Sequence, residues 1–239
     1  NWIWFSDMCL RVIRTPGTIV DSFDAGSIDT LYWANISESP GYAIANPYGQ
    51  FEMNASVSGS YRYQGGIQAN PDYWIKPEAG KPVEIVLENV RDYRQFIGSE
   101  SVKDFYAQMY NNGTFGTGGT AVLFALHTGY PNYEDIKFSI TNVATGFDDY
   151  VNPWIDPVWG IQKRTDGTWK IIWEVDRIRL YHNGELAFDT DTDAGVNGTQ
   201  PGQWPIPTIP LGLTIKCNWP NAQGKFTIDS VYCGPQRPA

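Results

Sequence analysis

Residues 177–188 constrain the fold of this chain most strongly. The segment begins with Arg-Ile-Arg-Leu-Tyr, which alternates charged and apolar residues, and returns as Glu-Leu-Ala-Phe after the pair Asn183-Gly184. Asn-Gly is favoured in tight two-residue β-turns, because both turn positions need a positive φ. The segment therefore predicts a β-hairpin, and with it an antiparallel sheet.

Most of the remaining chain also reads as short strands separated by turns. The 24 Gly and 16 Pro residues are distributed along the whole chain, and aromatic residues make up 15% of it. That mixture is typical of an all-β, two-sheet antiparallel sandwich. Further strands are predicted at residues 51–57, 82–90, 121–126, 136–140, 168–173, 211–217 and 224–233. One short helix is predicted at residues 99–109, where Val102, Phe105, Tyr106 and Met109 share a helical face.

The length of 239 residues suits a single large β domain, and no internal linker divides the chain. We predict one sandwich domain over residues 21–239. Residues 1–20 form an apolar N-terminal strand or extension, with Trp2, Ile3, Trp4 and Phe5 in succession. This extension either packs on the domain as an edge strand or docks on the sheet of a second copy, which would produce a homo-oligomer.

Charge excludes several classes of partner. The formal net charge is −9, and the 17 Lys and Arg residues form no basic cluster, so we expect neither nucleic-acid binding nor attraction to an anionic membrane. The sequence contains no run of about 18 apolar residues, so we predict no membrane-spanning helix. The chain opens at Asn1 without a leader pattern, as a mature secreted protein would.

Glycosylation acceptors and cysteines favour a secreted, extracellular or cell-surface glycoprotein. Four Asn-x-Ser/Thr acceptors occur beside turn segments, at Asn35, Asn54, Asn112 and Asn197. Three cysteines leave an odd thiol. Either Cys233 pairs with Cys9, or Cys233 pairs with Cys217, or all three stay reduced and buried.

Several segments resemble the concanavalin A-like lectin/glucanase superfamily, which includes laminin-G-like modules and family 16 glucanases. They are Asp-Ser-Phe-Asp at 21–24, Leu-Tyr-Trp at 31–33, Gly-Gln-Phe-Glu-Met at 49–53, the block 169–188 and the closing run 226–232. The resemblance implies a jelly roll. It does not choose among lectins, hydrolases, lyases and structural modules, all of which this fold carries.

Two catalytic patterns known in such folds have weak counterparts here. Family 16 glucanases use two glutamates of a Glu-x-Asp-x-(x)-Glu strand, and the nearest match runs from Glu84 to Glu88 with Val86 in the central position. Jelly-roll polysaccharide lyases use Tyr or His for proton transfer, with amides or Arg neutralising the substrate carboxylate. For that chemistry the candidates are His127 with Arg62, Tyr63 and Gln68.

Two further patterns suggest ligands. Asp189, Asp191 and Asp193 alternate before Gly195, which predicts either a structural Ca²⁺ site or a hydrated acidic turn. Aromatic residues in polar, Gly- and Pro-rich contexts are candidate platforms for sugar rings. These are Tyr61, Tyr63, Tyr73, Trp74, Trp154 and Trp159.

Three hypotheses follow for function. The first is an extracellular jelly-roll protein that binds a polysaccharide through an aromatic-lined concave face. The second is a carbohydrate-active enzyme, either a polysaccharide lyase or a glycoside hydrolase. The third is a self-assembling extracellular structural subunit.

Overall fold

The computed structural model describes residues 15–37, 42–45, 49–55, 64–92, 95–96, 104–111, 122–128, 136–142, 145–151, 166–218 and 222–238. Across these ranges the chain forms seventeen β-strands and one 3-10 turn, Pro71–Tyr73. The strands are β1 (Ile19–Asp21), β2 (Trp33–Ser37), β3 (Tyr42–Ala45), β4 (Phe51–Ala55), β5 (Gln64–Ala69), β6 (Val83–Asp92), β7 (Gln95–Phe96), β8 (Asp104–Tyr110), β9 (Val122–Thr128), β10 (Ile136–Asn142), β11 (Phe147–Val151), β12 (Gly167–Trp173), β13 (Ile178–His182), β14 (Glu185–Asp189), β15 (Gly212–Asn218), β16 (Ala222–Ile228) and β17 (Ser230–Pro235). The predicted all-β class is confirmed.

Two antiparallel sheets face each other. The ten-stranded sheet has the order β14-β13-β12-β6-β16-β4-β3, with β17 pairing with both β6 and β1, and β7 pairing with β16. The seven-stranded sheet has the order β11-β10-β9-β8-β15-β5-β2. Strands β8 and β15 therefore lie at its middle, and β2 and β11 lie at its edges.

The predicted hairpin is present as β13 and β14. Asn183 and Gly184 both have positive φ, 49° and 84°, as a tight two-residue turn requires. Leu180 of β13 is the Cα partner of Phe188 of β14, and both side chains are buried.

The predicted helix at residues 99–109 is wrong for the part that the structure describes. Residues Asp104–Tyr110 form β8, which pairs with β9 on one edge and with β15 on the other. Ala107 and Met109 are buried in the core, so the period of this segment is two residues. Pairing on both edges satisfies the backbone groups of β8, and this long-range pairing overrides a helical pattern that the sequence allows locally.

The core lies between the sheets and is rich in aromatic rings. Trp173 lies fully inside and donates its indole N–H to the carbonyl oxygen of Pro207 at 3.0 Å, so its one polar group is satisfied. Phe138 of the seven-stranded sheet packs against Phe188 of the ten-stranded sheet, with ring centroids 5.0 Å apart. The largest fully buried side chains are Trp33, Trp169, Trp173, Phe23, Phe51, Phe138, Phe188, Phe226 and Ile19.

Asp21 ties the two sheets together at the first described strand. It ends β1, which pairs with β17 of the ten-stranded sheet, and its Oδ2 accepts the indole N–H of Trp33 from β2 of the seven-stranded sheet at 2.8 Å. Its Oδ1 accepts the backbone N–H of Phe23, also at 2.8 Å. Because β1 begins at Ile19, the last residues of the predicted extension belong to the sheet, whereas residues 1–14 lie outside the described residues.

Replacing Asp21 should weaken the connection between the sheets. The Asp21→Ala variant leaves the buried indole N–H of Trp33 and the N–H of Phe23 without this acceptor, so we expect its free energy of unfolding in urea to fall by about 2–3 kcal/mol. The matched control is Ser22→Ala, whose exposed hydroxyl bonds only Asp24 among the contacts of its side chain, and which should change stability by less than about 0.5 kcal/mol. Equal effects of the two variants would contradict this role for Asp21.

Candidate functional site on the outer face of the seven-stranded sheet

The two middle strands, β8 and β15, place polar side chains on the side of the sheet that faces away from the core. Their sequences, Asp-Phe-Tyr-Ala-Gln-Met-Tyr and Gly-Leu-Thr-Ile-Lys-Cys-Asn, alternate polar and apolar residues. Gln108, Thr214 and Lys216 stand between core-facing neighbours, so they project from the opposite, outer face. The core-facing neighbours are Ala107, Met109, Leu213 and Ile215.

Strand register aligns these outer residues in rows. Thr214 is the Cα partner of Gln68 on β5 and of Gln108 on β8. The same row continues through Ala125 on β9 to Ser139 on β10. Directly opposed side chains lie about 5 Å apart, so they form a continuous line across the strands. We call Gln68, Thr214, Gln108 and Ser139 the polar row.

The middle of the polar row holds two oxygens without a hydrogen-bond partner. The side chains of Gln108 and Thr214 are only 2% and 3% exposed, and Oε1 of Gln108 and Oγ1 of Thr214 have no partner in the structure. An unsatisfied buried polar atom costs about 1–3 kcal/mol, so proteins rarely keep one without a use. Each atom can accept a hydrogen bond that the protein itself does not supply. Both atoms are shielded from solvent.

A second row carries the cationic residues of the face. Lys216 is only 4% exposed and is the Cα partner of Gly66 on β5 and of Tyr106 on β8. Tyr106 pairs with His127 on β9, and His127 pairs with Lys137 on β10. We call Lys216, Tyr106, His127 and Lys137 the basic row, and for the last three the structure describes the backbone alone. A Cβ at Gly66 would collide with the backbone of Ile215 and Lys216, so glycine is required there.

No pair of carboxylates on these strands has the spacing of a glycosidase. The seven strands carry three carboxylates, Asp104, Asp148 and Asp149, and no glutamate. Asp149 is buried and bound to a loop. Asp104 on β8 and Asp148 on β11 have β9 and β10 between them. The three inter-strand spacings alone are about 14 Å, and the register adds an offset along the strands. The separation therefore exceeds the roughly 5–9.5 Å between the two catalytic carboxyl groups of glycosidases.

The predicted glucanase pair, Glu84 and Glu88, does not form a site. Both lie on β6 of the other sheet, four residues apart along the strand, which corresponds to about 13 Å. Glu84 accepts the guanidinium of Arg237 at 2.9 Å and its backbone N–H at 3.0 Å, and Glu88 accepts the hydroxyl of Ser230. Burial would raise the pKa of Glu84, but the hydrogen bonds from Arg237 outweigh burial and lower it. Glu84 is therefore held ionised in a structural ion pair.

The structure does not bring the residues of the predicted lyase cluster together on neighbouring strands. Gln68 lies on β5 and His127 on β9, with β15 and β8 between them, so they are not on neighbouring strands. Arg62 and Tyr63 lie outside the described residues. The residues that flank His127 in the sheet are instead Tyr106 and Lys137.

Two of the predicted aromatic platforms lie in the part of the chain that the structure describes. Tyr73 is buried and packs edge-on against Tyr32, with ring centroids 5.0 Å apart, so the prediction of an exposed platform there is wrong. Trp74 is half-buried and donates to the carbonyl oxygen of Ala69 at 3.2 Å. Its indole occupies the space that a Cβ at Gly212 would need, which places it at one end of β15 on the outer face. Tyr61, Tyr63, Trp154 and Trp159 lie outside the described residues.

The acidic loop after β14 is held by protein contacts. Arg177 pairs with both carboxylate oxygens of Asp189, and its Nε lies 3.4 Å from Asp191. Asp193 accepts the backbone N–H of Asp189 at 2.8 Å. A bidentate Arg occupies the oxygens that a cation would need, so these contacts do not fit the predicted Ca²⁺ site. Among the described residues, no group of three or more His, Cys, Asp or Glu side chains is arranged to hold a metal ion.

Asp149 anchors the far end of the same loop. It accepts the backbone N–H groups of Asn197, Thr199 and Tyr150 at 2.7, 2.9 and 2.7 Å. Burial would raise the pKa of Asp149, but these hydrogen bonds and one from the Thr199 hydroxyl outweigh burial and lower it. No local sequence pattern reveals that Asp149 has these partners on a distant loop.

The predicted glycosylation sites differ in their surroundings. Asn35 is exposed on the edge strand β2. Asn197 is exposed too, but its Nδ2 donates to the carbonyl oxygen of Asp148 at 3.0 Å. Asn54 lies on β4, where the structure describes the backbone alone, and Asn112 lies outside the described residues.

Cys233 is a free, fully buried thiol, so neither predicted disulfide through it is formed. It lies on β17 of the ten-stranded sheet, whereas Cys217 lies on β15 of the other sheet. Burial raises the pKa of the Cys233 thiol to about 12, which keeps it protonated and unreactive. Cys9 and the side chain of Cys217 lie outside the described residues.

Comparison with solved structures identifies the architecture. The carbohydrate recognition domain of Emp47p matches with a TM-score of 0.54 and 7% identity, over 92% of this chain and 96% of that one. An endo-1,3-β-glucanase from Streptomyces sioyaensis matches at 0.58 and 13%, over 94% and 99%. A laminarinase from Flavobacterium sp. UMI-01 matches at 0.58 and 11%, over 90% and 98%. The chain has the concanavalin A-like lectin/glucanase fold.

This finding confirms the predicted jelly roll. A comparison with protein-family models and one with curated proteins both found no match. At identities of 7–13% these solved structures establish the fold alone, and function has to be argued from the residues of this chain.

Thermal unfolding with and without calcium distinguishes the two interpretations of the acidic loop. The Arg177 contacts predict that EDTA and added Ca²⁺ leave the Tm unchanged, and that Arg177→Met lowers stability by about 1–3 kcal/mol through loss of charged hydrogen bonds. A Tm that rises with Ca²⁺ and falls again with EDTA would instead establish the calcium site.

Acid should remove the stabilisation that Asp149 provides. Its pKa is lowered in the folded chain, so the unfolded chain binds more protons, and stability is present above the unfolded pKa near 4 and lost as the pH falls through the folded pKa. Asp149→Asn should cost about 1–3 kcal/mol at neutral pH. In urea titrations at several pH values, the difference from the wild type should shrink below about pH 4. A difference that stays constant down to pH 2 would contradict the assignment.

Proposed function

We propose that this chain binds a glycan on the outer face of its seven-stranded sheet. One observation carries the proposal: the buried Oε1 of Gln108 and Oγ1 of Thr214, side by side at the middle of this face, have no partner in the protein. A closely spaced line of amide and hydroxyl groups suits sugar hydroxyls, which both donate and accept hydrogen bonds. Solved structures with this fold include a carbohydrate recognition domain and glucanases, which supports the choice of ligand class.

The dimensions of the polar row favour an extended ligand. The row crosses from β5 to β10, four inter-strand spacings, or about 19 Å. A line of that length matches several linked sugar rings better than a single sugar. Trp74, beside Gly212 at one end of β15, adds an apolar indole of the kind that packs on a pyranose ring. The ligand is therefore a polysaccharide or an oligosaccharide.

Binding is favoured over hydrolysis because this face has no carboxylate pair on its strands. The two glutamates that resembled a glucanase motif lie on the other sheet, and Glu84 is engaged by Arg237. The Glu84→Gln and Glu88→Gln variants should accordingly keep full glycan affinity, and they serve as controls for any weak hydrolysis that is detected.

A polysaccharide lyase is the second candidate, and one observation favours it. In the basic row, Tyr106 stands between Lys216 and His127 in backbone register. Tyr and His are the proton-transfer groups that such lyases use. A lyase would produce an unsaturated sugar, so the ultraviolet absorbance of its C=C bond during incubation with uronic-acid polymers separates cleavage from binding.

The setting that we propose is extracellular, on the basis of the glycosylation acceptors and the type of ligand. The described residues include no helix long and apolar enough to cross a membrane. The third hypothesis, a self-assembling subunit, depends on the apolar N-terminal residues, and residues 1–14 lie outside the described residues.

Substitutions that keep shape but remove polarity test the site directly. Thr214→Val and Gln108→Met should each weaken polysaccharide binding at least about tenfold, a loss of about 1.4 kcal/mol. Because they remove an unsatisfied buried oxygen, neither should lower the Tm strongly. Binding is measured by affinity electrophoresis and calorimetry against a panel of neutral and acidic polysaccharides.

Thr227→Val is the matched control. Thr227 is also a buried strand threonine with an unpartnered Oγ1, but it lies on β16 of the ten-stranded sheet. It should leave binding unchanged. A wild-type chain that binds no glycan of the panel would contradict the proposed function, and equal losses in Thr214→Val and Thr227→Val would contradict the proposed site.

A further inference from the structure

We propose that Tyr150 and Val196 form an apolar subsite at the far end of the polar row, where a further sugar unit of the same glycan packs its apolar face. This inference rests on the proposed function and adds to it a preference for long, linear glycans. Strand register extends the polar row by one strand, because Ser139 of β10 is the Cα partner of Tyr150 on the edge strand β11.

Tyr150 projects from the outer face of the seven-stranded sheet. Its neighbours along β11, Asp149 and Val151, are both buried, and Val151 belongs to the core. Side chains alternate across a strand, so Tyr150 lies on the same side as Ser139 and the rest of the polar row. The Tyr150 side chain is half-buried, so part of it remains open to solvent. From Gln68 on β5 to Tyr150 the row crosses five inter-strand spacings, or about 24 Å.

Val196 adds a second apolar side chain beside Tyr150. Its backbone N–H donates to the carbonyl oxygen of Tyr150 at 2.8 Å, and the side chain of Asn197 donates to the carbonyl oxygen of Asp148 at 3.0 Å. The loop therefore runs antiparallel to β11 with Val196 opposite Tyr150, and opposed side chains lie on the same face about 5 Å apart. Val196 is 57% exposed, although valine is among the residues most often buried. The two side chains give this edge of the face an apolar surface.

The loop that carries Val196 is held in place by the protein. Asp149 accepts the backbone N–H groups of Asn197 and Thr199 at 2.7 and 2.9 Å. The residue before Val196 is Gly195, where a Cβ would collide with the carboxylate of Asp149, so glycine permits this close approach. The backbone N–H of Gly195 also donates to the carbonyl oxygen of Thr199 at 2.8 Å. Val196 is thus positioned before a ligand binds, which reduces the entropy lost on binding.

The arrangement of apolar and polar groups suits a linear glycan. Apolar side chains pack on the faces of sugar rings, and amides and hydroxyls bond their hydroxyl groups. Trp74 lies over Gly212 of β15, and Tyr150 lies four inter-strand spacings away, or about 19 Å, with Gln108 and Ser139 on strands between them.

The distance from the middle of the row to the subsite makes chain length the selected property. Gln108 on β8 and Tyr150 on β11 are three inter-strand spacings apart, or about 14 Å. A short oligosaccharide bound at Gln108 and Thr214 therefore ends before it reaches Tyr150, whereas a longer chain contacts both.

Titration with oligosaccharides of two lengths tests this directly. The full chain is titrated by calorimetry with the trimer and the hexamer of β-1,3-glucan, β-1,4-glucan, β-1,4-xylan, β-1,4-mannan and α-1,4-galacturonan. In at least one series we expect the hexamer to bind at least about tenfold more tightly than the trimer. This comparison needs no variant.

Two substitutions then locate the effect. Tyr150→Thr and Val196→Ser should each lower the affinity for the hexamer about three- to tenfold and leave the affinity for the trimer unchanged. Thr214→Val, by contrast, should weaken both. Matched controls on the ten-stranded sheet are Tyr181→Thr, a half-buried strand tyrosine, and Val20→Ser, a strand valine that is 60% exposed; both should keep the wild-type affinities. Thermal unfolding shows whether each variant is folded.

The outcomes separate this inference from the proposed function. Equal affinities of the wild type for trimer and hexamer, or an unchanged hexamer-to-trimer ratio in Tyr150→Thr and Val196→Ser, would overturn the inference and leave glycan binding at the polar row intact. Failure of the wild type to bind any of these oligosaccharides or any polysaccharide would overturn both.

Discussion

The packing of two sheets through their apolar faces is the interaction on which the rest of this structure depends. Trp173 and Phe226 of the ten-stranded sheet and Phe138 of the seven-stranded sheet are fully buried in the common core. Because side chains alternate across a strand, burying one face of β8 and β15 forces the intervening residues onto the other. The same constraint that stabilises the core therefore places Gln108, Thr214 and Lys216 together on the outer face.

Three carboxylates that could have been catalytic or metal-binding groups are instead engaged in structural contacts. Glu84 is paired with Arg237 and Asp189 with Arg177, and Asp149 accepts hydrogen bonds from the backbone N–H groups of a loop. Each has a lowered pKa in spite of burial, because specific partners stabilise the charged form. A general acid requires the opposite shift, so these groups stabilise the fold and are poorly suited to proton transfer.

The outer face shows the converse situation, in which polar groups are buried without full compensation. Removing the oxygens of Gln108 and Thr214 would relieve an unfavourable desolvation, whereas keeping them retains acceptors for a ligand. Stability given up in this way is typical of functional sites. The sequence alone does not identify these residues as a site, because a single Gln, Thr or Lys on a strand is typical of a solvent-exposed position.

The sequence by itself determined the class of fold and its best-formed local piece. Short-period alternation and the Asn183-Gly184 turn specify antiparallel strands, because both act over a few residues. Only the tertiary structure decided which strands are neighbours. It shows that residues 104–110, most of which were predicted to be helical, form the central strand β8. It also places two strands between Gln68 and His127, and puts Glu84 on the sheet opposite the candidate site. Strand order depends on contacts between residues far apart in the chain, and local sequence patterns do not predict those contacts. The polar row and the basic row exist only once that order is set.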